Sequence, residues 1–234
     1  MRTLILTALL SVSTLSLAAS ATEANALLDK GAWQDAATMA ASLNTSDGFA
    51  VASKATTLGA SISPEGAKRN LLVKAQGYAN QAIKLNPNNA NAYFELSRAD
   101  GRLAQFCGIL QSLGLAGDIK TALDKAIALD PKMDEAYVAL GLWNAELIAK
   151  GFLATRATGA DRNQVIPNFE KAIALNPTLI AHRIEYANSL LDLNKNGNKA
   201  LAVAQLQKAV TLTPVTYWDK LDLVTAQEKL NALK

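Results

Sequence analysis

The chain has 234 residues, half of them apolar and 18% charged, with a net charge of +3. That near-neutral balance supplies no concentrated basic face for nucleic acid. One cysteine excludes a disulfide framework, and one histidine excludes most His-based metal sites and His-paired nucleophiles.

The first segment reads as an address. Met1-Arg2-Thr3 is a short basic start, Leu4 to Ala19 is an apolar run, and Ala19-Ser20-Ala21 offers the small residues of a cleavage site before Thr22. The alternative is an uncleaved membrane helix, since Leu4 to Ala21 is just long enough to span. The reading taken is a cleaved secretory signal over residues 1–21, with export to a periplasm or beyond and no stable membrane insertion afterwards. Residues 22–234 then form a single domain. Alanine and leucine, both strong helix formers, supply about a third of the chain. Helices are expected at 23–30, 33–43, 47–61, 65–85, 89–111, 118–129, 133–150, 161–175, 179–193, 197–211 and 218–233. Ser63-Pro64-Glu65 reads as an N-cap with Pro at the first helical position, and Lys195-Asn196-Gly197-Asn198 as a turn. The last helix carries Lys220, Asp222, Gln227, Glu228 and Lys229, the polar outer face of a capping element.

A repeat governs the rest. Ala82-Ile83-Lys84-Leu85-Asn86-Pro87, Ala126-Ile127-Ala128-Leu129-Asp130-Pro131, Ala172-Ile173-Ala174-Leu175-Asn176-Pro177 and Ala209-Val210-Thr211-Leu212-Thr213-Pro214 align without gaps. Each reads as a helix ended before proline, which forces its predecessor out of the α region and cannot continue the hydrogen-bond ladder. After the first two stops, Ala92, Leu96, Ala99, Leu103 and Ala136, Leu140, Trp143, Leu147 keep one spacing and so one helix face. Helices with a single apolar stripe must stack on neighbours. Stacked helical hairpins follow.

Pro87 to Tyr93 and Pro131 to Tyr137, with Leu140-Gly141 and the small Ser97 after Leu96, resemble the tetratricopeptide (TPR) junction. Arg183 departs from it, standing where the other units have Tyr. The prolines fall 44, 46 and 37 residues apart, against 34 for a TPR unit, so helices or turns must lengthen. Ile119 to Pro131, Leu140-Gly141-Leu142-Trp143 and Leu212-Thr213-Pro214-Val215 resemble the TPR-like regulator-of-microtubule-dynamics family, whose eukaryotic members are linked to microtubules. The resemblance implies an all-α, right-handed superhelix of antiparallel helix hairpins with elongated repeats and a C-terminal capping helix. It further implies a non-catalytic binding or scaffold protein, and the export signal then makes its expected partner a protein or peptide of the cell envelope, since microtubules are absent from a periplasm. A second implication, from bacterial relatives of transport systems, is an accessory component holding a small hydrophobic molecule.

No catalytic, metal or cofactor set is read from the residues. Cys107 reads as a buried, inert thiol, His182 as a packing histidine at the register of Ala92 and Ala136, and Asp134-Glu135 as first-turn acids that favour the helix dipole. Gly114 to Asp118 lacks the ending of a phosphate loop. TPR groove positions carried over by register are Asn91, Phe94 and Arg98, then Glu135 and Val138, then Ile184 and Asn188; ordinary solvated helix positions are the alternative. A charge-free stretch from Leu103 to Gly117, with Phe106, and the apolar Gly151-Phe152-Leu153-Ala154-Thr155 form a second feature. Either these linkers fold back into the core or they present an apolar patch around Phe106 and Phe152.

Overall fold

The computed structural model describes residues 20–233; the address read at residues 1–21 lies almost wholly outside them. The described residues are helical throughout: α1 over 20–29, α2 (Trp33–Ser42), α3 (Ser46–Ile62), α4 (Glu65–Leu85), α5 (Ala90–Leu103), α6 (Ile109–Leu129), α7 (Asp134–Ala149), α8 (Phe152–Thr158), α9 (Val165–Leu175), α10 (Ile180–Ala209) and α11 (Tyr217–Ala232). The chain divides into two compact units, one ending at Ala99 and one beginning at Asp100. The expectation of one domain rested on the absence of a linker, and the division falls inside helix α5, where no composition change marks it.

The first unit packs small residues closely. Ala24, Ala40 and Ala52 form one cluster and Ala50, Ala82 and Ala92 another. Hydroxyls complete the contact: Ser53 Oγ donates to the Ala75 carbonyl at 2.9 Å and Ser46 Oγ to the Ala82 carbonyl at 2.8 Å. Asn89, in the turn after α4, donates through Nδ2 to Ser46 Oγ and Asp47 Oδ1, tying that turn to the start of α3. Ser63 does not cap α4 as expected. Its hydroxyl donates back to the Gly59 carbonyl at 2.7 Å, because the extended backbone it adopts ahead of Pro64 already ends α3.

In the second unit the core runs through Val138, Phe169, Ile184, Tyr186, Leu190 and Leu206. Tyr186 stacks on Phe169 with ring centroids 5.0 Å apart. Gly141 explains why the Leu-Gly pair matters: a Cβ built there would lie 2.7 Å from the Phe169 ring. Trp143 Nε1 donates to the Ala116 carbonyl at 2.8 Å, fastening α7 to α6. Arg183, the departure from the repeat, donates to Gln205 Oε1 at 3.0 Å across α10.

The extra length of the repeats takes two forms. The expected helix 89–111 breaks at a 3-10 turn, Ala104–Phe106, and most of the charge-free stretch becomes the first half of the 21-residue α6. In the next unit an additional helix, α8, is inserted. Within the stretch Leu103 and Ala116 are buried while Phe106, Leu113 and Leu115 are half-buried; the side chains of Ile109 and Leu110 lie outside the description. Helix α10 changes direction at Asn194, whose φ of −167° and ψ of 91° leave the helix, one residue before the expected turn. Asn194 Oδ1 accepts the Gly197 amide at 3.0 Å and restarts the helix.

Two terminal expectations are corrected. The fourth stop is not a Thr-Pro stop, since α10 ends at Ala209 with Val210 still in the α region. A capping box at Thr216 and Asp219 then opens α11. Nor is the outer face of α11 polar. Val215 at the helix entry is 83% exposed, and Tyr217, Leu221 and Val224 follow on one face, also exposed. The charged residues chosen from the sequence are real, but apolar ones at helical spacing share the surface with them.

Replacing Gly141 with Ala must displace Phe169 or part α7 from α9. We expect Gly141→Ala to lower stability by about 1–3 kcal/mol with helix content retained, measured by urea denaturation followed by circular dichroism.

Candidate functional site: an acidic groove in the second unit

The second unit holds a cavity of about 510 Å³ with Gly101, Gln105 and Cys107 at one end, Ser112 from α6, Glu146 and Lys150 from α7, and Asp192 from α10. Its size is that of a ligand or peptide pocket. Residues at the end of α5, at the end of α7 and just before the change of direction in α10 line it, with Ser112 from the start of α6.

Its charged wall residues are two carboxylates, Glu146 and Asp192, and one cation, Lys150. Glu146 is open to solvent by surface area, yet it stands within the concavity, where protein displaces much of its hydration. Desolvation holds its pKa above the ordinary value; Lys150 and Arg102 oppose the shift, and the negative charges of Glu185 and Asp192 add to it. Asp222 of α11 extends the group: desolvation first, then Asp219 and Glu185, push its pKa up to about 6, against the pull of Arg102. Glu185 and Arg102 act on both Glu146 and Asp222, with Asp192 and Lys150 acting on the first and Asp219 on the second. Like charges held together in a partly desolvated hollow favour any cation that can enter it.

The residues carried over by register meet this groove only in part. Asn188 lies on the same helix as Asp192, one turn earlier, and donates to Glu185 Oε2 at 3.2 Å. Phe94, Val138 and Ile184 are packing residues, 5%, 8% and 5% exposed, so they present no open surface. Arg98 lies over the Phe94 ring at 4.6 Å and pairs with Glu95 at 2.7 Å. Asn91 is exposed and Glu135 half-buried. The register carry-over picked the early turns of each helix, whereas the cavity is formed by the late ones. Phe106 is half-buried, and Phe152 is 72% exposed on α8. Cys107 is half-buried rather than buried, on the cavity wall, with its thiol donating to the Leu103 carbonyl at 3.3 Å.

His182 is 2% exposed, with Nε2 3.3 Å from Asp134 Oδ2. Asp134 is therefore more than a first-turn acid: it faces the histidine that replaces the alanine of the other repeats. Desolvation nonetheless lowers the His182 pKa, outweighing the opposite pull of Asp134 and Glu135. Among the described residues no group of three or more His, Cys, Asp or Glu is placed to hold a metal ion.

Helical hairpins repeated around stops of one geometry define a TPR-like repeat protein. A thermophilic TPR protein of Thermus thermophilus has the same fold, with a TM-score of 0.65 over 91% of this chain and 99% of that one at 16% identity. A model of the regulator of microtubule dynamics protein 1-3 family matches residues 49–234, and the chain belongs to that family. Regulator of microtubule dynamics protein 1 of Bos taurus is 29% identical over 166 residues, which are 65% of this chain. The chain spans about half the length of that relative, 50% of it being covered.

Asp222 and His182 contribute with opposite signs in pH. Folded Asp222 holds its proton up to about 6, whereas the unfolded carboxyl releases it near 3.8. The folded state therefore binds more protons between those values, and stability falls as the pH rises through them. His182 is lowered from 6.5, so the unfolded state takes up the proton first and stability is lost as the pH falls below that value. Asp222→Asn should raise the melting temperature at pH 7 by about 3–6 °C and flatten the profile between pH 4 and 6. His182→Gln should flatten only the loss that sets in below pH 6.5, as read by thermal melts across pH.

Proposed function

We propose that the protein is a non-catalytic docking scaffold whose second-unit groove takes an extended, Lys- or Arg-bearing segment of another protein. The observation that carries this reading is the cavity beside Glu146 and Asp192, with Asp222 and Glu185 in the same field. A cation entering there relieves the mutual repulsion of carboxylates already partly stripped of water, so charge supplies selectivity and the small wall residues Gly101, Ala104 and Ala149 leave room for a backbone. The TPR-like fold supports the same role, since successive leading helices present a continuous surface to a linear ligand. No histidine shares the cavity wall with Glu146 and Asp192, and the Cys107 thiol there is turned to the Leu103 carbonyl; we read the two carboxylates as binding groups. The basic-apolar start and the small residues at Ala19 and Ala21 support a place for this scaffold in the cell envelope, its segment partner being an envelope protein; a mature mass lacking residues 1–21 checks that placement.

The test is calorimetric titration with an extended peptide carrying spaced lysines and arginines, and with the same peptide bearing glutamates. The basic peptide should bind, more weakly at higher salt, and Glu146→Gln with Asp192→Asn should weaken it about tenfold or more. Equal binding of both peptides, or an affinity the double variant leaves unchanged, overturns the reading.

A further inference from the structure

Phe152 is 72% exposed and its neighbour Leu153 80%, on the helix inserted between α7 and α9. This seven-residue α8 keeps Ala154 buried and turns Phe152, Leu153, Arg156 and Ala157 outward, the spacing of a single helix face. The chain enters it through Gly151 with φ of 99° and leaves through Gly159 with φ of 74°, backbone that residues with a Cβ rarely adopt. The insertion is fastened. Thr155 Oγ1 donates to the Leu147 carbonyl at 3.4 Å and the Asp161 amide to Asn144 Oδ1 at 2.8 Å. The two large apolar side chains are thus held out by a fixed piece of structure.

Cations surround them in the chain. Lys150 comes two residues before Phe152, Arg156 lies one turn on, and Arg162 follows; Asp161 is the one acid from Lys150 to Gln164. The Asp161 carboxylate accepts the Asn163 amide, and no ion pair among the described residues holds Arg156 or Arg162. Adjacent apolar tips with Arg156 on the same helix face and further cations close by in the chain match the layered chemistry of an anionic bilayer surface, where apolar groups reach the acyl boundary and Lys or Arg reach the phosphates.

We propose that the Phe152–Leu153 knob docks the protein on an anionic lipid surface. A protein partner is the weaker fit, because a stable interface covers about 800 Å² on each side, and these side chains project from a helix of two turns. Attachment through so few groups is reversible and sensitive to salt. No helix of the described residues is long and apolar enough to cross a membrane, so the contact is made from the surface.

The experiment is co-sedimentation of the full chain with phosphatidylcholine vesicles, with and without about a third phosphatidylglycerol. The apolar run at Leu4 to Ala19 is common to every variant, so differences between variants read the knob. Phe152→Ser with Leu153→Ser should lower partitioning onto the anionic vesicles about tenfold. Arg156→Glu with Arg162→Glu should remove the preference for phosphatidylglycerol, and both pairs should melt as the parent does. A polarity-sensitive dye on Leu153→Cys, in a Cys107→Ser chain, should shift to the blue on anionic vesicles. No dye shift overturns the proposal even where the chain sediments. A concentration-dependent dimer abolished by Phe152→Ser with Leu153→Ser, without vesicle contact, overturns it in favour of a second copy.

Discussion

The structure depends on one backbone conformation used three times. Asn86, Asp130 and Asn176 each precede proline, and their φ and ψ are −144° and 98°, −136° and 92°, and −139° and 88°. Steric contact with the proline ring forces that extended conformation. The side chain then makes use of it: Asn86 and Asp130 accept the amides of Asn88 and Lys132, and Asn176 accepts the Thr178 hydroxyl. Because the stop is the same each time, the next helix starts at the same offset and turns the same position inward. At that position Ala92 and Ala136 are fully buried. Thr213-Pro214 lacks this geometry, and there the helix has already ended at Ala209.

His182 shows what the shared geometry does to an unlike residue. It occupies the alanine position, so the imidazole is placed inside the packing of two repeats with no freedom to turn outward. The start of α7, one repeat earlier, supplies Asp134 as its neighbour at 3.3 Å. That contact sets a carboxylate beside a polar group forced into the interior, with no hydrogen bond between them, and desolvation outweighs it in setting the pKa. Repeat proteins tolerate such exchanges because each unit meets only its neighbours.

Helix ends and close approaches were legible in the sequence because both have steric signatures. An Asx-Pro pair stops a helix whatever surrounds it, and the small residue at Gly141 announces a neighbour as near as Phe169. The charge-free stretch from Leu103 to Gly117 was opaque for the opposite reason. An apolar run without punctuation is compatible with linker or helix, and only packing against Trp143 resolves it as α6. The groove was opaque too. A Glu on a solvated helix face and a Glu inside a concavity look alike in sequence, so Glu146, Asp192 and Asp222 carried no signal. What sets them apart is that α7, α10 and α11 bring them into one field, an effect of tertiary structure acting on ordinary surface residues.

Lys150 belongs to both surfaces of the second unit. It lines the cavity beside Asp192, where its charge is the largest influence favouring the ionised form of Glu146, and it stands two residues before the exposed Phe152. Lipid phosphate drawing the ammonium group outward would leave Glu146 more dependent on another cation. A basic segment seated in the groove would supply that cation and free Lys150 for the outer surface. If both surfaces act as proposed, each ligand would lower the cost of the other through a single flexible side chain, and linkage requires the effect to be equal in both directions. Such a coupling would run through charge alone, with no change of backbone needed between groove and knob.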